Sequence, residues 1–150
     1  MSKIIQAILT GMLLTFIIDF FLFLGVQLHY INYHEIDLYY NILFADNQNI
    51  YLWLFFTPLL GYVTLYLHNK VALIVVGSLF FLSLLTLIPD IGKSVGEAIF
   101  LEKEKTLTTK KFSYRGDLLY SGRKNIYFYD YRLEKMLTFD KQRVKELQKQ

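Results

Sequence analysis

The fold follows from the first long apolar stretch, Ile4–Leu28, whose sequence is IIQAILTGMLLTFIIDFFLFLGVQL. It holds 25 residues and one charged side chain, Asp19. A helix of roughly 20 apolar residues crosses a bilayer core about 30 Å thick, so this stretch is predicted to be a transmembrane helix. It is longer than the apolar part of a signal peptide, roughly 7–15 residues, and no small-x-small cleavage site follows it. We therefore expect it to be retained.

Two further apolar stretches follow, Ile50–Leu67 and Val71–Pro89. The three residues between them, 68–70, are enough only for a tight turn, so the two stretches are predicted to form an antiparallel helical hairpin. Pro58 predicts a kink in the first of them, because proline lacks the N–H that an internal helical hydrogen bond requires. Pro89-Asp90 is the expected end of the third span.

The basic residues divide the chain at Asp90. Fourteen of the sixteen Lys and Arg side chains lie after that position, and the other two are Lys3 and Lys70. The chain of 150 residues is therefore predicted to be an α-helical integral membrane protein. Residues 1–90 would form a domain of three transmembrane helices with spans of about 4–28, 50–67 and 71–89. Residues 91–150 would form a small basic α+β domain, a short β-meander with flanking helices.

Within that tail the pattern changes from helix to strand. Ser94-Val95-Gly96-Glu97 matches a capping box and predicts a short helix as far as about Glu104, with a strand over Ala98–Leu101 as the alternative. Asp140 is the expected N-cap of a closing helix, Lys141–Gln150. The predicted strands, which are richest in β-forming residues at Asn125–Asp130, are Thr106–Tyr114, Asp117–Tyr120, Asn125–Asp130 and Lys135–Phe139.

The connection 29–49 carries several tyrosines, which suit the membrane–water interface, and Ile36–Ala45 is expected to lie flat there. His29 and His34 occur near Glu35 and Asp37. Two histidines and two carboxylates could bind a metal, but histidines five apart do not share a helix face. A solvated loop is favoured, and no metal site is predicted.

Asp19 is the most costly residue in its predicted place, because a carboxylate inside the bilayer must be paired, protonated or hydrated. At 100° per residue it shares a stripe of the first helix with Gly11 and Thr15. Matching small and polar residues on the second helix are Thr57, Gly61 and Thr64.

Such faces allow close helix packing, so we expect them to meet inside a three-helix bundle, with Thr57 or Thr64 donating a hydrogen bond to Asp19. Three interpretations of Asp19 stay open. It is a packing residue held by hydroxyls, a pairing site for a cation of another membrane subunit, or an ion or proton site in an oligomeric pore.

The tail contains 14 basic and 8 acidic residues from Ile91 onward, a net charge of +6. The signs alternate in Glu102-Lys103-Glu104-Lys105, which is typical of a solvated surface and argues against nucleic-acid binding. Contact with anionic lipid or with a protein partner is expected first at Arg115, Arg123 and Lys124, which lie near predicted turns.

No catalytic, cofactor-binding or metal-binding motif is present in the sequence, and Cys is absent. We therefore predict a non-enzymatic accessory or assembly subunit of a membrane complex, without a cofactor. Its helices would dock through their small and polar faces, and its tail would bind a protein partner. The alternative is an oligomeric channel or transporter component with Asp19 as its ion or proton site. Expected partners are membrane lipids and other membrane subunits, or further copies of the chain.

The expected location is a bacterial plasma (inner) membrane, because abundant Lys, Ile, Asn, Tyr and Phe are typical of AT-rich genomes. Basic residues close to span ends determine orientation more strongly than those in long domains. Lys3 and Lys70 flank the spans, whereas only Lys93 is basic within ten residues after Pro89. This favours the N-terminus inside and the tail outside.

Overall fold

The computed structural model describes residues 2–109 and 112–149, and its side chains as far as Val144. The helices are α1 (Lys3–Val26), α2 (Tyr40–Asp46), α3 (Ile50–Tyr66), α4 (Asn69–Leu85) and α5 (Pro89–Phe100). The strands are β1 (Glu102–Thr109), β2 (Ser113–Ser121), β3 (Asn125–Asp130), β4 (Lys135–Asp140) and β5 (Val144–Lys149).

The predicted first span is one continuous helix. Ser2 caps α1, its hydroxyl accepting a hydrogen bond from the Ile4 N–H, and a π-helical turn, Gln27–Ile31, prolongs the helix at its other end. The combined segment Lys3–Ile31 has 29 residues and is long and apolar enough to cross a membrane by itself.

The second and third predicted spans are shorter. Helices α3 and α4 have 17 residues each, about 25 Å of helix. They qualify as membrane spans only when α2 is added to α3 and α5 to α4, and these pairs are bent by 85° and 94°. The described residues thus contain one helix that could span a membrane alone, and up to three spans if each bent pair counts as one.

The third predicted span ends earlier than expected. Helix α4 stops at Leu85, and Pro89 begins α5 instead of ending α4. Proline suits the first turn of a helix, where its missing N–H has no partner to lose. The predicted capping box is therefore wrong: Ser94 lies inside α5, and its hydroxyl donates to the Asp90 carbonyl at 2.8 Å. The alternative strand at 98–101 is wrong as well, because α5 continues to Phe100.

The tail forms a five-stranded antiparallel sheet with the order β4-β3-β2-β1-β5. The prediction of β3 is confirmed at both ends, and β4 extends one residue beyond its predicted end. The predicted strand Thr106–Tyr114 is wrong, because β1 ends at Thr109 and a separate strand, β2, begins at Ser113 and pairs antiparallel with β1. The predicted strand Asp117–Tyr120 is part of β2.

The predicted closing helix Lys141–Gln150 is also wrong over the residues described. Asp140 does cap a turn, accepting a hydrogen bond from the Gln142 N–H, but this is a single 3₁₀ turn, Lys141–Arg143. The chain then pairs as β5 with the outer edge of β1. An open strand edge offers unpaired backbone groups, and pairing with it outweighs a modest helix propensity.

The core joins the two halves of the molecule. Side chains from the end of α1 and from the following connection are buried against β2 and β3. This cluster comprises Phe23, Val26, Tyr30, Ile31, Ile36, Leu43, Leu119, Tyr120 and Tyr127. A smaller cluster within the sheet comprises Leu107, Leu118, Ile126 and Phe128. The tail therefore shares its main apolar core with the helical half.

Candidate functional site

Helices α1 and α3 cross in backbone contact at two glycines. A Cβ atom on Gly11 would lie 1.8 Å from the carbonyl oxygen of Thr57, and one on Gly61 would lie 2.0 Å from that of Ala7. A larger residue at either position would push the helices apart. The two predicted small faces thus pack on each other within the chain, so they are not available for contact with another subunit.

The threonines of this crossing do not reach Asp19. Thr15 and Thr57 are buried, and neither hydroxyl has a hydrogen-bond partner among the described residues. Thr64 donates to the Leu60 carbonyl of its own helix at 2.7 Å. The predicted hydrogen bond from Thr57 or Thr64 to Asp19 is therefore wrong.

Asp19 instead lines a cavity of about 460 Å³ among α1, α3, α4 and α5. Its other polar side chains are Thr15, Ser83 and Thr86, Trp53 adds an indole N–H, and the remaining lining residues are apolar. The Ser83 and Thr86 hydroxyls donate to helix carbonyls at 2.7 Å, so these donors are already engaged. Within the described part of the chain, the structure gives Asp19 no hydrogen bond and no ion pair.

The cavity is not sealed from the outer surface of the bundle. Leu52 of α3 and Leu82 of α4 both line it, and they are 56% and 58% exposed. In a membrane this opening faces lipid or another transmembrane helix. Asp19 is therefore reachable from the side of the bundle.

A second close crossing joins the end of α1 to the α4–α5 bend, and the sequence analysis missed it. A Cβ on Gly25 would lie 2.2 Å from the Thr86 hydroxyl, and one on Gly92 would lie 2.2 Å from the Thr86 carbonyl oxygen. The Thr86 hydroxyl also lies 3.1 Å from the Phe21 carbonyl. The four-residue spacing of Gly92 and Gly96 was a usable signal, because small residues at that spacing favour close helix contact.

Tyrosines attach the sheet to the helices. The Tyr30 hydroxyl donates to the Leu119 carbonyl at 2.8 Å, and the Tyr127 hydroxyl donates to the Asp37 carbonyl at the same distance. Tyr30 is fully buried. A Cβ on Gly96 would lie 2.3 Å from its ring. Tyr30 is therefore a packing residue between the two halves, in contrast to the interfacial position expected for it.

The structure brings together two of the three basic residues predicted to contact lipid or a partner. Arg123 and Lys124, in the β2–β3 turn, line a cavity beside α2. The Arg123 guanidinium lies 2.6 Å from a carboxylate oxygen of Asp46. Arg115 lies at the other end of β2, paired with Thr106 of β1. It belongs to a different surface.

His34 is wedged between aromatic rings beside α5. Its ring centroid lies 4.8 Å from that of Tyr30 and 5.0 Å from that of Tyr33. Its Nε2 is buried without a hydrogen-bond partner among the described residues. Burial lowers the pKa of His34, nearby Lys93 lowers it further, and Glu97 opposes them to a lesser degree. A charged imidazolium is therefore disfavoured here.

The described residues hold no group of three or more His, Asp or Glu side chains placed to bind one metal ion. His29 bonds instead to the Leu87 carbonyl, with its Nε2 at 2.8 Å. Comparisons with known protein families, with curated proteins and with solved structures found no match to this chain. The Asp19 cavity and the surface where α2 meets the sheet are therefore the two candidate functional sites.

Proposed function

We propose that the protein is a non-enzymatic accessory subunit of a bacterial plasma-membrane complex. Helices α1, α3 and α4 would provide three crossings, with α2 bent away from α3 by 85° and α5 bent away from α4 by 94°. The Asp19 cavity would receive a transmembrane helix of a partner subunit that carries a Lys or Arg side chain. One observation carries the proposal: the Asp19 carboxylate has no partner within the described chain and lines a cavity that opens sideways.

The Asp19 carboxylate has a free-energy cost inside the membrane unless another group compensates its charge. A carboxylate near the centre of a membrane-crossing helix costs about 2.5–3.5 kcal/mol on insertion scales. Intramembrane charges persist where another charge, backbone groups or water compensates them. The Ser83 and Thr86 hydroxyls donate to helix carbonyls, and the Thr15 hydroxyl makes no hydrogen bond to Asp19, so a cation from outside the chain is the natural complement to the carboxylate.

The cavity lining favours a partner side chain over a hydrated ion. Trp53, Phe56 and Leu60 of α3 face it, together with leucines of α4. These residues suit the aliphatic stem of a Lys or Arg whose charged end reaches the carboxylate. A path for hydrated ions would require a lining richer in polar groups.

The tail would bind a second, protein partner at the membrane surface. The apolar core that it shares with α1 holds it against the helices. In the β3–β4 turn, Tyr131 and Leu133 are 42% and 44% exposed, which gives a partner apolar contact area. The N-terminus would be inside the cell and the tail outside, as the basic residues flanking the spans favour.

Single-cysteine labelling tests this topology, because the chain has no native Cys. Tyr39→Cys and Ser121→Cys lie on exposed residues at the same end of the bundle, and His68→Cys lies in the exposed α3–α4 turn. An impermeant thiol reagent on intact cells should label the first two and spare the third. Labelling of His68→Cys alone would reverse the orientation, and labelling of all three would refute the three-crossing arrangement.

Photo-crosslinking tests the docking site. A photoreactive amino acid at Leu52 or Leu82, on the rim of the cavity, should give an adduct with one membrane protein, and Asp19→Asn should abolish it. The same probe at Leu54 and Leu73, which are exposed but do not line the Asp19 cavity, provides the control. Ion or proton flux in liposomes that hold only this protein, lost in Asp19→Asn, would instead establish the channel alternative.

A further inference from the structure

A second cavity, of about 440 Å³, lies between α2 and the β2–β3 turn. Its lining carries both charge signs, with the carboxylates of Asp37 and Asp46 and the basic side chains of Arg123 and Lys124. Apolar side chains from the α2 side, which include Leu38, Ile42 and Ala45, complete the wall. A cavity with this lining suits a zwitterionic molecule that has an apolar part.

The position of α2 places this cavity at the membrane surface. Helix α2 is bent by 85° from α3. If α3 crosses the bilayer, as the proposed function requires, α2 lies along the interface. Ile42 is 40% exposed on α2, and an exposed apolar side chain suits a helix that lies in the headgroup region. The cavity would then stand at the level of lipid headgroups.

Asp46 provides the most specific feature of this cavity. Its side chain is only 9% exposed, and one carboxylate oxygen, Oδ1, lies 2.6 Å from the Arg123 guanidinium. The other oxygen, Oδ2, is buried and has no hydrogen-bond partner among the described residues. A buried acceptor without a donor is costly, and a small rotation of the carboxylate toward the cavity that Asp46 lines would let a ligand N–H remove that cost.

We propose that this cavity binds the phosphoethanolamine headgroup of a membrane lipid. The primary ammonium group donates to Asp46 Oδ2, and the phosphate accepts from Arg123 and Lys124. A trimethylammonium group has no N–H to donate, so a choline lipid would leave Oδ2 unpaired. An anionic headgroup without an amine would do the same and would also meet the carboxylates of Asp37 and Asp46.

The lipid is the proposed source of this headgroup because the apolar wall adjoins the charged one. Soluble glycerophosphoethanolamine presents the same charges without acyl chains, so it separates the headgroup contribution from the chain contribution. The proposal is independent of a partner at Asp19, since the two cavities have no lining residue in common.

The test uses the full-length protein in detergent, with lipid binding measured by native mass spectrometry. The probes are dioleoyl lipids with ethanolamine, its mono-, di- and trimethylated forms, and glycerol as headgroups. We expect the ethanolamine lipid to bind about tenfold more tightly than the trimethylated form, the loss of one charge-assisted hydrogen bond. Soluble glycerophosphoethanolamine should bind at least tenfold more weakly than the lipid.

Variants identify the residues that recognise the headgroup. Asp46→Asn should remove the preference for ethanolamine over choline, and Arg123→Gln should weaken binding of both lipids about tenfold. Arg115→Gln, the same change at the other end of β2, should bind as the unaltered protein does. Equal binding across the methylated series by the unaltered protein would overturn the proposal without reference to any variant's folding. Soluble glycerophosphoethanolamine binding as tightly as the lipid would overturn the assignment to a lipid.

Discussion

Gly11 and Asp19 lie on the same stripe of α1, eight residues apart, yet their surroundings are opposite. Gly11 touches the backbone of α3 so closely that a single added carbon would lie 1.8 Å from an oxygen atom. Asp19, about 12 Å further along the helix, borders a cavity of about 460 Å³. At the Gly11 end of the stripe, α1 is in direct contact with α3. At the Asp19 end, the stripe borders a cavity.

The contrast between Gly11 and Asp19 distinguishes two properties: which way a residue faces, and whether the space that it faces is filled. The spacing of Gly11, Thr15 and Asp19 indicates that these residues face inward. Whether the space they face is filled depends on where α3 and α4 cross α1. Close contact leaves no space for a ligand or partner at Gly11, whereas the surrounding helices leave a cavity at Asp19. We expect the close contact at Gly11 (the tight end of the stripe) to determine the stability of the fold, and the cavity at Asp19 (the open end) to determine binding.

The largest expected effect is at the tight end. Gly11→Leu should lower the free energy of unfolding by about 3 kcal/mol or more, because the added side chain forces α1 and α3 apart. Thermal unfolding in detergent measures the loss. Gly77→Leu is the matched control, since a Cβ on Gly77 has no neighbour within 4 Å. If both variants unfold alike, close packing at Gly11 does not hold the bundle together.

The open end should respond in the opposite direction. Asp19→Leu is expected to raise the stability of the isolated protein by about 1–3 kcal/mol, because an uncompensated carboxylate is removed from an apolar cavity. The same variant should lose the partner adduct formed from Leu82. A marked loss of stability in Asp19→Leu would contradict this, and would show that Asp19 has a partner within the fold.

Thr86 and Thr57 allow a similar comparison with a smaller expected effect, because only the Thr86 hydroxyl has a hydrogen-bond partner among the described residues. Thr86→Val should cost about 0.6 kcal/mol, a typical value for a hydroxyl hydrogen bond between membrane helices. Thr57→Val should be neutral or stabilising by up to about 1 kcal/mol, because the Thr57 hydroxyl is buried without a partner. Chemical denaturation of both variants in the same detergent gives the ordering. Equal losses would mean that the Thr57 hydroxyl finds a donor or acceptor after all.

The smallest expected effect is a pH dependence at His34. Burial lowers its pKa in the folded protein, so the unfolded chain binds the proton at a higher pH than the folded chain does. Between the two pKa values the unfolded state holds more protons, and stability should fall as pH drops through the ordinary histidine range near about 6.5. Melting curves of His34→Phe should lose this slope. His68→Asn, a change in the exposed α3–α4 turn, should retain it.

The sequence sufficed for those elements in which local pattern and tertiary environment agree. Mean apolarity located α1 and the greater part of α3 and α4. A run of β-forming residues located β3 at its observed ends. The residues after Asp140 are different, because their composition favours a helix while the edge of β1 offers pairing. Whether these residues form a helix or a strand depends on where β1 lies in the folded protein. The sequence near Asp140 does not contain that information.

In the candidate sites too, some features could be predicted from the sequence and others depend on the assembled fold. The meeting of Gly11 with Gly61 followed from small residues on two helices. The absence of a hydrogen bond between Asp19 and Thr57 or Thr64 did not, because it depends on how the helices pack in the assembled fold. Arg123 and Lys124 were recognisable as turn residues, but their juxtaposition with Asp46 joins positions nearly eighty residues apart. Such contacts depend on the assembled fold.

The hydrogen bond from Tyr30 to Leu119 spans 89 residues, and the shared core around it closes a loop of that length. During synthesis, α1 therefore emerges and can insert long before the hydroxyl of Tyr30, in the turn that prolongs this helix, can bond to Leu119. Residues 91–150 made as a separate polypeptide would expose the aromatic face of β2 and β3, and a chain that stopped before Leu119 would leave Tyr30 uncovered. The packing around the end of the first helix is therefore complete only after β2 and β3 have been synthesised.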